Sequence, residues 1–153
     1  MKRILIAGLG NLLRGDDGFG IRVIQELAKK SMPSSVELYE AGSAGVALAQ
    51  KIAEGFDVCI LVDAMQRGGS PGTLYDLAPI APAKARRLDM HALDPKGVLA
   101  LANAMGPLPA SVLLMGCEPA ETEELEERLS ACVEACVQPA VEKITAAIAR
   151  LSS

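Results

Sequence analysis

The chain has 153 residues, half of them hydrophobic, which suits one compact domain over residues 1–153 with a well-buried core. Its 15 Lys and Arg against 19 Asp and Glu give a net charge of −4, which argues against nucleic acid as a partner. No stretch approaches the roughly 20 apolar residues that cross a bilayer, so we expect a soluble protein without a membrane partner.

The first half of the chain alternates short apolar runs with helical patterns. Residues 3–7, 36–39 and 56–62 predict strands, because each run is short, apolar and closed by glycine or polar residues. Apolar residues at helical spacing predict helices over 20–30 and 46–52. Repeated strand-then-helix units imply an α/β fold with a mainly parallel sheet and helices on both faces.

The second half of the chain is less regular. The pattern loosens over residues 65–93, where a strand is predicted at 73–77 and part of the stretch is expected to be a surface excursion. A helix is predicted over 95–105, a strand over 111–115, and helices over about 122–151 that are interrupted or kinked near Pro139.

The cysteines indicate a reducing compartment. Cys59, Cys117, Cys132 and Cys136 form no CxxC pair, and no secretory signal begins the chain, so we expect free thiols in the cytoplasm. Cys132 and Cys136 lie four residues apart on a predicted helix and could share a metal, although buried small residues at this spacing are far commoner.

Polar residues stand where the predicted strands end, which is the edge of a parallel sheet where ligands bind. Asp16 and Asp17 lie in the glycine-rich loop after the first strand, where one of them is expected to cap the next helix. Asp63 directly follows a buried strand, a costly position unless a partner or a cleft receives the carboxylate. With His91, the one histidine, Asp17 and Asp63 make an O/N set that Zn²⁺, Ni²⁺ and other divalent ions accept.

Two further loops leave alternatives open. Gly8-Leu9-Gly10 partly matches a dinucleotide-binding fingerprint, but Leu13 stands where a third glycine is due and an acidic pair follows. Cys117 and Glu118, after the strand at 111–115, could be neighbours of the metal set, but Glu118 before Pro119 equally suits the start of a helix.

The chain resembles the nickel–iron hydrogenase maturation endopeptidases over nearly its whole length. The resemblance rests on motifs in the same order, namely Gly8-Leu9-Gly10-Asn11-Leu12, Asp16-Asp17-Gly18-Phe19-Gly20, Gly42-Ser43-Ala44-Gly45, Val62-Asp63-Ala64, Pro71-Gly72-Thr73, and His91 before a predicted helix. It implies a three-layer α/β/α fold and an aspartyl-type endopeptidase that removes a C-terminal extension from a hydrogenase large-subunit precursor after nickel insertion.

The resemblance also implies roles for single residues. Asp17, where some members have Glu, Asp63 and His91 would bind nickel supplied by the substrate, and other divalent metals would substitute. Water would attack the peptide bond, polarised by nickel or aided by Asp17 or Asp63 as general base. Gly42, Ser43 and Gly45, together with the excursion at 67–85, would contact the substrate, although Gly42 and Gly45 also suit a tight turn.

Two other functions compete with the endopeptidase. The same metal set would serve a non-catalytic nickel-binding or chaperone module for the large subunit, which yields no shortened product. A nucleotide-dependent enzyme is the second alternative, which stabilisation by NAD or ATP analogues would reveal. The sequence leaves open the oligomeric state, the hydrogenase isoenzyme and the bond that is cut.

Overall fold

The computed structural model describes residues 1–84, 94–120 and 125–152. Its strands are β1 (Ile4–Leu9), β2 (Val36–Gly42), β3 (Val58–Ala64), β4 (Leu74–Pro79) and β5 (Ser111–Cys117). Its helices are α1 (Phe19–Leu27), α2 (Gly45–Ile52), α3 (Pro95–Met105), α4 (Ala131–Glu134) and α5 (Val137–Leu151). A 3-10 turn, Gly15–Gly18, joins β1 to α1.

The described strands form one sheet in the order β2-β1-β3-β5-β4. Every neighbouring pair is parallel except β4 and β5, which are antiparallel. The predicted mainly parallel sheet is therefore confirmed. The carboxyl ends of β1, β2, β3 and β5 lie at one edge, and that edge carries the predicted site residues Asp17, Asp63 and Gly42.

Helices cover both faces of the sheet, which confirms the predicted three layers. Alternate residues of a strand point to opposite faces. Ile4 and Ile6 of β1 join the core with α1 and α5, whereas Leu5 and Ala7 join the core with α2 and α3. All four side chains are fully buried, which explains the continuous apolar runs of the central strands.

Strands β3 and β5 continue further than the sequence predicted. Asp63 pairs in register with Gly116, and Ala64 pairs with Cys117. Asp63 is therefore part of β3 and does not follow it. Its backbone is fixed by the sheet, so its side chain is held more firmly than one on a loop.

The end of the chain corrects one prediction. Residues 125–130 are not helical, because their backbone pairs with the loop after β1: Glu126 N–H donates to the Leu13 carbonyl (3.0 Å), and Gly15 N–H donates to the Glu126 carbonyl (2.7 Å). The interruption predicted near Pro139 is present, because α4 ends at Glu134 and α5 begins at Val137. Pro139 is the third residue of α5, in the first turn, where a helix needs no backbone N–H donor.

Within the described ranges, no helix is both long and apolar enough to span a membrane.

Candidate active site

The site lies where the chain changes direction across the sheet. From β1 the chain passes to β2 on one side, and from β3 it passes toward β5 and β4 on the other. Loops that leave neighbouring parallel strands in opposite directions open a crevice between them, where α/β proteins bind ligands. Asp17, in the 3-10 turn after β1, and Asp63, near the end of β3, both border this crevice.

Close backbone packing brings Asp17 to this crevice. A Cβ at Gly20 would lie 2.6 Å from the Leu9 carbonyl oxygen and would overlap the carbonyl of Val62. Only glycine lets the start of α1 approach the ends of β1 and β3 this closely. The turn that carries Asp17 directly precedes α1, so the same approach places Asp17 beside the end of β3.

The loop itself orients the Asp17 carboxylate. Asn11 N–H donates a hydrogen bond to Asp17 Oδ2 (2.8 Å). The loop turns at Gly10, whose φ of +113° is strained for other residues. A side chain at Gly10 would also collide with the Asp17 carbonyl. Asp17 is half-buried, so its carboxylate is both held in place and open to a ligand.

Asp16 has a different role from the one predicted. We expected Asp16 or Asp17 to cap the following helix, but neither does, because Arg14 and Gly18 occupy the cap positions and the carboxylates lie inside the turn. Asp16 is fully buried and accepts hydrogen bonds from Ser130 N–H (2.6 Å), Ser130 Oγ–H (2.8 Å) and Ala120 N–H (2.8 Å). It ties the loop of Asp17 to the segment before α4.

Asp63 is electrostatically coupled to Asp17. Burial in the crevice raises the pKa of Asp63 to about 8, the negative charge of Asp17 adds to the rise, and Asp94 contributes further. A hydrogen bond from Ala64 N–H opposes the shift. A proton or a metal cation beside Asp63 would relieve the repulsion from the Asp17 carboxylate. The structure therefore brings together two of the three predicted ligands.

The third predicted ligand, His91, lies outside the described residues. Among the residues that the structure does describe, no group of three His, Cys, Asp or Glu side chains is arranged to hold a metal ion. His91 therefore remains a prediction from the family resemblance. Asp17 and Asp63 have donor oxygens of the kind that divalent metals accept, and two carboxylates leave room for ligands from a substrate.

A cleft of about 290 Å³ lies beside the loop of Asp17, on the β2 side. Gly42 and Ser43, two of the three predicted substrate contacts, line it together with Asn11. Gly42 closes the turn after β2 with a φ of +57°, and its carbonyl accepts from Gly10 N–H (3.1 Å). Gly45 is buried as the first residue of α2, so its contribution is to the turn.

A second cleft, of about 310 Å³, lies on the other side, beside Asp63. Its wall includes Arg67, from the predicted substrate-contact excursion, and Asp94 and Lys96 from the start of α3. Sequence reasoning did not identify Asp94 and Lys96 as site residues. Asp94 accepts from Gly97 N–H (2.6 Å) and precedes a proline, which is a helix-start signature that was available in the sequence.

Glu118 supports the wall of this second cleft. Its side chain is 5% exposed, and Oε1 accepts hydrogen bonds from Tyr75 O–H (2.6 Å), Arg67 N–H (2.8 Å) and Gly69 N–H (3.0 Å). These bonds lower the pKa of Glu118, with the Tyr75 hydroxyl as the largest cause. Glu118 does not begin a helix, because residues 118–120 directly after β5 have no helical backbone.

A known protein family matches most of this chain. The family model for hydrogenase maturation proteases matches residues 21–147. The chain is 37% identical to the hydrogenase expression/formation protein HupM of Azotobacter chroococcum, over 90% of this chain and 68% of HupM. It is 31% identical to the hydrogenase 2 maturation protease of Escherichia coli, over 95% of this chain and 90% of that protein.

Solved structures share the fold. The hydrogenase maturating endopeptidase HybD from E. coli aligns with a TM-score of 0.81 at 29% identity, covering 97% of this chain and 93% of HybD. A hydrogenase 2 maturation peptidase from a Thaumarchaeota archaeon aligns with a TM-score of 0.75 at 33% identity, covering 97% and 99% of the two chains.

Proposed function

This chain belongs to the hydrogenase maturation protease family, and we propose that it is the endopeptidase that removes the C-terminal extension of a nickel–iron hydrogenase large-subunit precursor. The sequence match over 90% of the chain carries this proposal. The coupled carboxylates of Asp17 and Asp63, in the crevice where such a fold binds ligands, support it.

Nickel, in this proposal, belongs to the substrate. Asp17 and Asp63, with His91 as the ligand assigned from sequence, would bind the nickel ion that the precursor already carries. Oxygen and imidazole donors suit this ion, and other divalent metals accept the same set. Cleavage would then depend on nickel insertion, because the precursor without nickel lacks the group that these side chains bind.

The chain's own contribution is to position the peptide bond and to accept a proton. Water attacks the scissile carbonyl while Asp17 or Asp63 takes its proton as general base; the C–N bond then breaks, and the same side chain returns the proton to the leaving amine. The buried thiols support water as the nucleophile. Burial raises the pKa of Cys59 to about 12 and also raises the pKa of Cys117, so both thiols stay protonated and poorly nucleophilic.

The substrate contacts follow from the two clefts. A polypeptide whose scissile bond lies between Asp17 and Asp63 has the cleft of Gly42 and Ser43 on one side and the cleft of Arg67 on the other. We place the reaction in the cytoplasm, because all four cysteines are free thiols, including the buried Cys117 and Cys136.

The test is incubation with purified large-subunit precursor, with and without nickel, followed by mass spectrometry. We expect the nickel-loaded precursor to lose the mass of its C-terminal extension and the nickel-free precursor to stay intact. Binding of the loaded precursor without any loss of mass would instead identify a non-catalytic chaperone. Equal cleavage of both precursors would refute recognition of nickel.

A further inference from the structure

Two cations line the cleft beside Asp63. Arg67 lies on the segment that follows β3, and Lys96 lies in the first turn of α3, so the charges come from separate parts of the wall. Both residues are exposed. The chain as a whole has a net charge of −4, so two cations in one cleft near Asp63 are a local departure from its overall negative charge.

Neither cation is neutralised within the described residues. Arg67 and Lys96 form no ion pair within 4.0 Å there, whereas six other ion pairs occur, such as Lys51 with Glu37 at 2.8 Å. The nearby Asp94 carboxylate already accepts from Gly97 N–H and caps α3. Asp63 and Asp94 also line the cleft, but among the described residues neither carboxylate forms an ion pair with Arg67 or Lys96, so both cations can pair with an anion.

Arg67 is also held in place. Its backbone N–H donates to Glu118, and its guanidinium lies over the Tyr75 ring, 5.1 Å from the ring centre. The Tyr75 hydroxyl donates to the same Glu118 oxygen. A cation fixed against an aromatic ring loses less conformational freedom when an anion binds, which favours binding. The buried Glu118 thus positions both the cation and the ring that supports it.

We propose that Arg67 and Lys96 form an anion subsite that binds an acidic side chain of the substrate polypeptide close to the scissile bond. The inference rests on the proposed function, because it needs a polypeptide across Asp17 and Asp63. The acidic group comes either from the mature side of the bond or from the extension that is removed. Both sources present a carboxylate to the two cations.

The test uses Arg67→Glu, Lys96→Glu and the double variant, with Lys30→Glu as matched control. Lys30 is exposed and follows the carboxyl end of α1, away from both clefts. We expect each single reversal to raise KM for nickel-loaded precursor about tenfold with kcat within about twofold, and Lys30→Glu to change neither. Melting curves check that each variant folds.

Charge reversal in the substrate identifies the bound group. Acidic residues near the bond are changed to Lys one at a time, on the mature side and in the extension. One such substrate should restore the KM of the double variant, and its position names the source of the carboxylate. An unchanged KM in the double variant, or no rescue by any reversed substrate, would overturn the proposal.

A binding measurement separates this inference from the proposed function. Fluorescein-labelled peptides that span the bond, amidated at the C-terminus, are titrated with wild type and the double variant. Weaker binding to the double variant supports the subsite even if no cleavage occurs, whereas equal binding contradicts it. Absence of cleavage by wild type contradicts only the proposed protease.

Discussion

Asp16 accepts two hydrogen bonds from Ser130, one from its backbone N–H and one from its hydroxyl, across 114 residues of chain. This contact joins the loop of Asp17 to the segment before α4. We expect Asp16→Ala to lower the free energy of unfolding by about 3 kcal/mol, because charged acceptors of several donors contribute most to stability. Ser130→Ala, which removes only the hydroxyl bond, should cost about 1 kcal/mol. Urea titration measures both, and an Asp16→Ala variant as stable as wild type would contradict the anchor.

Gly20 gives a second test of how the loop of Asp17 is held beside β3. In Gly20→Ala the new methyl group would collide with the carbonyls of Leu9 and Val62, so we expect at least about 2 kcal/mol of destabilisation and slower cleavage. Gly106→Ala is the control, since its Cβ meets nothing within 4 Å and should change stability by less than about 0.5 kcal/mol. Equal urea midpoints for the two variants would show that the close approach is unnecessary.

The raised pKa of Asp63 makes stability depend on pH. Its folded pKa of about 8 exceeds the unfolded value of about 3.9, so the native state binds the proton more tightly. This group's contribution to stability is full below pH about 4 and falls as pH rises toward 8. Without divalent ions, Asp63→Asn should match wild type at low pH and exceed it by about 2 kcal/mol above pH 8, a value reduced for partial exposure.

A matched control for Asp63 is Asp76. Hydrogen bonds from Leu77 N–H and then Lys143 lower the pKa of this exposed carboxyl. Asp76→Asn should therefore be less stable than wild type at neutral pH. Urea midpoints across the pH range compare the two. The structure indicates that the crevice destabilises an ionised carboxylate at position 63. If Asp63→Asn were less stable than wild type above pH 8, as Asp76→Asn should be at neutral pH, that claim would be contradicted.

Glu118 should produce the opposite pH dependence from Asp63. Its pKa is lowered, so its contribution is present above the unfolded value of about 4.3 and is lost as pH falls through the lower folded value. Acid titration of Glu118→Gln should therefore show a shallower loss of stability than wild type below pH about 4. If both proteins lost stability equally below pH about 4, the hydrogen bonds from Tyr75 and Arg67 would not favour the ionised form of Glu118.

Local pattern predicted the fold and part of the site. The apolar run at 56–62 indicated a buried strand, because β3 is covered on both faces. Asp63 could then be predicted as a site residue from its position near the end of that strand. Asp17 lay in a glycine-rich loop whose close approach to α1 only glycine permits. Such features need few residues, all near one another in sequence.

Long-range partners could not be predicted from pattern. Nothing near Asp16 indicates Ser130, and nothing near Glu118 indicates Tyr75 and the backbone of Arg67, because these bonds join segments that only the fold brings together. The helical pattern of the last 30 residues likewise hid the pairing of Glu126 with the loop after β1. Asp94 was readable as a helix cap, but its position beside Asp63 depends on the sheet order.

The most direct measurement is the rate at which Asp63→Ala and Asp17→Ala remove the extension from nickel-loaded precursor, followed by mass spectrometry. Asp76→Ala is the control, because Asp76 is an exposed aspartate on β4 whose ion pair with Lys143 lies at the surface. We expect the first two variants to stay folded and to lose cleavage by at least about a hundredfold, as when a general base is removed, while Asp76→Ala cleaves like wild type. Wild-type rates in either crevice variant would contradict the assignment of Asp17 and Asp63 as the catalytic, nickel-binding pair.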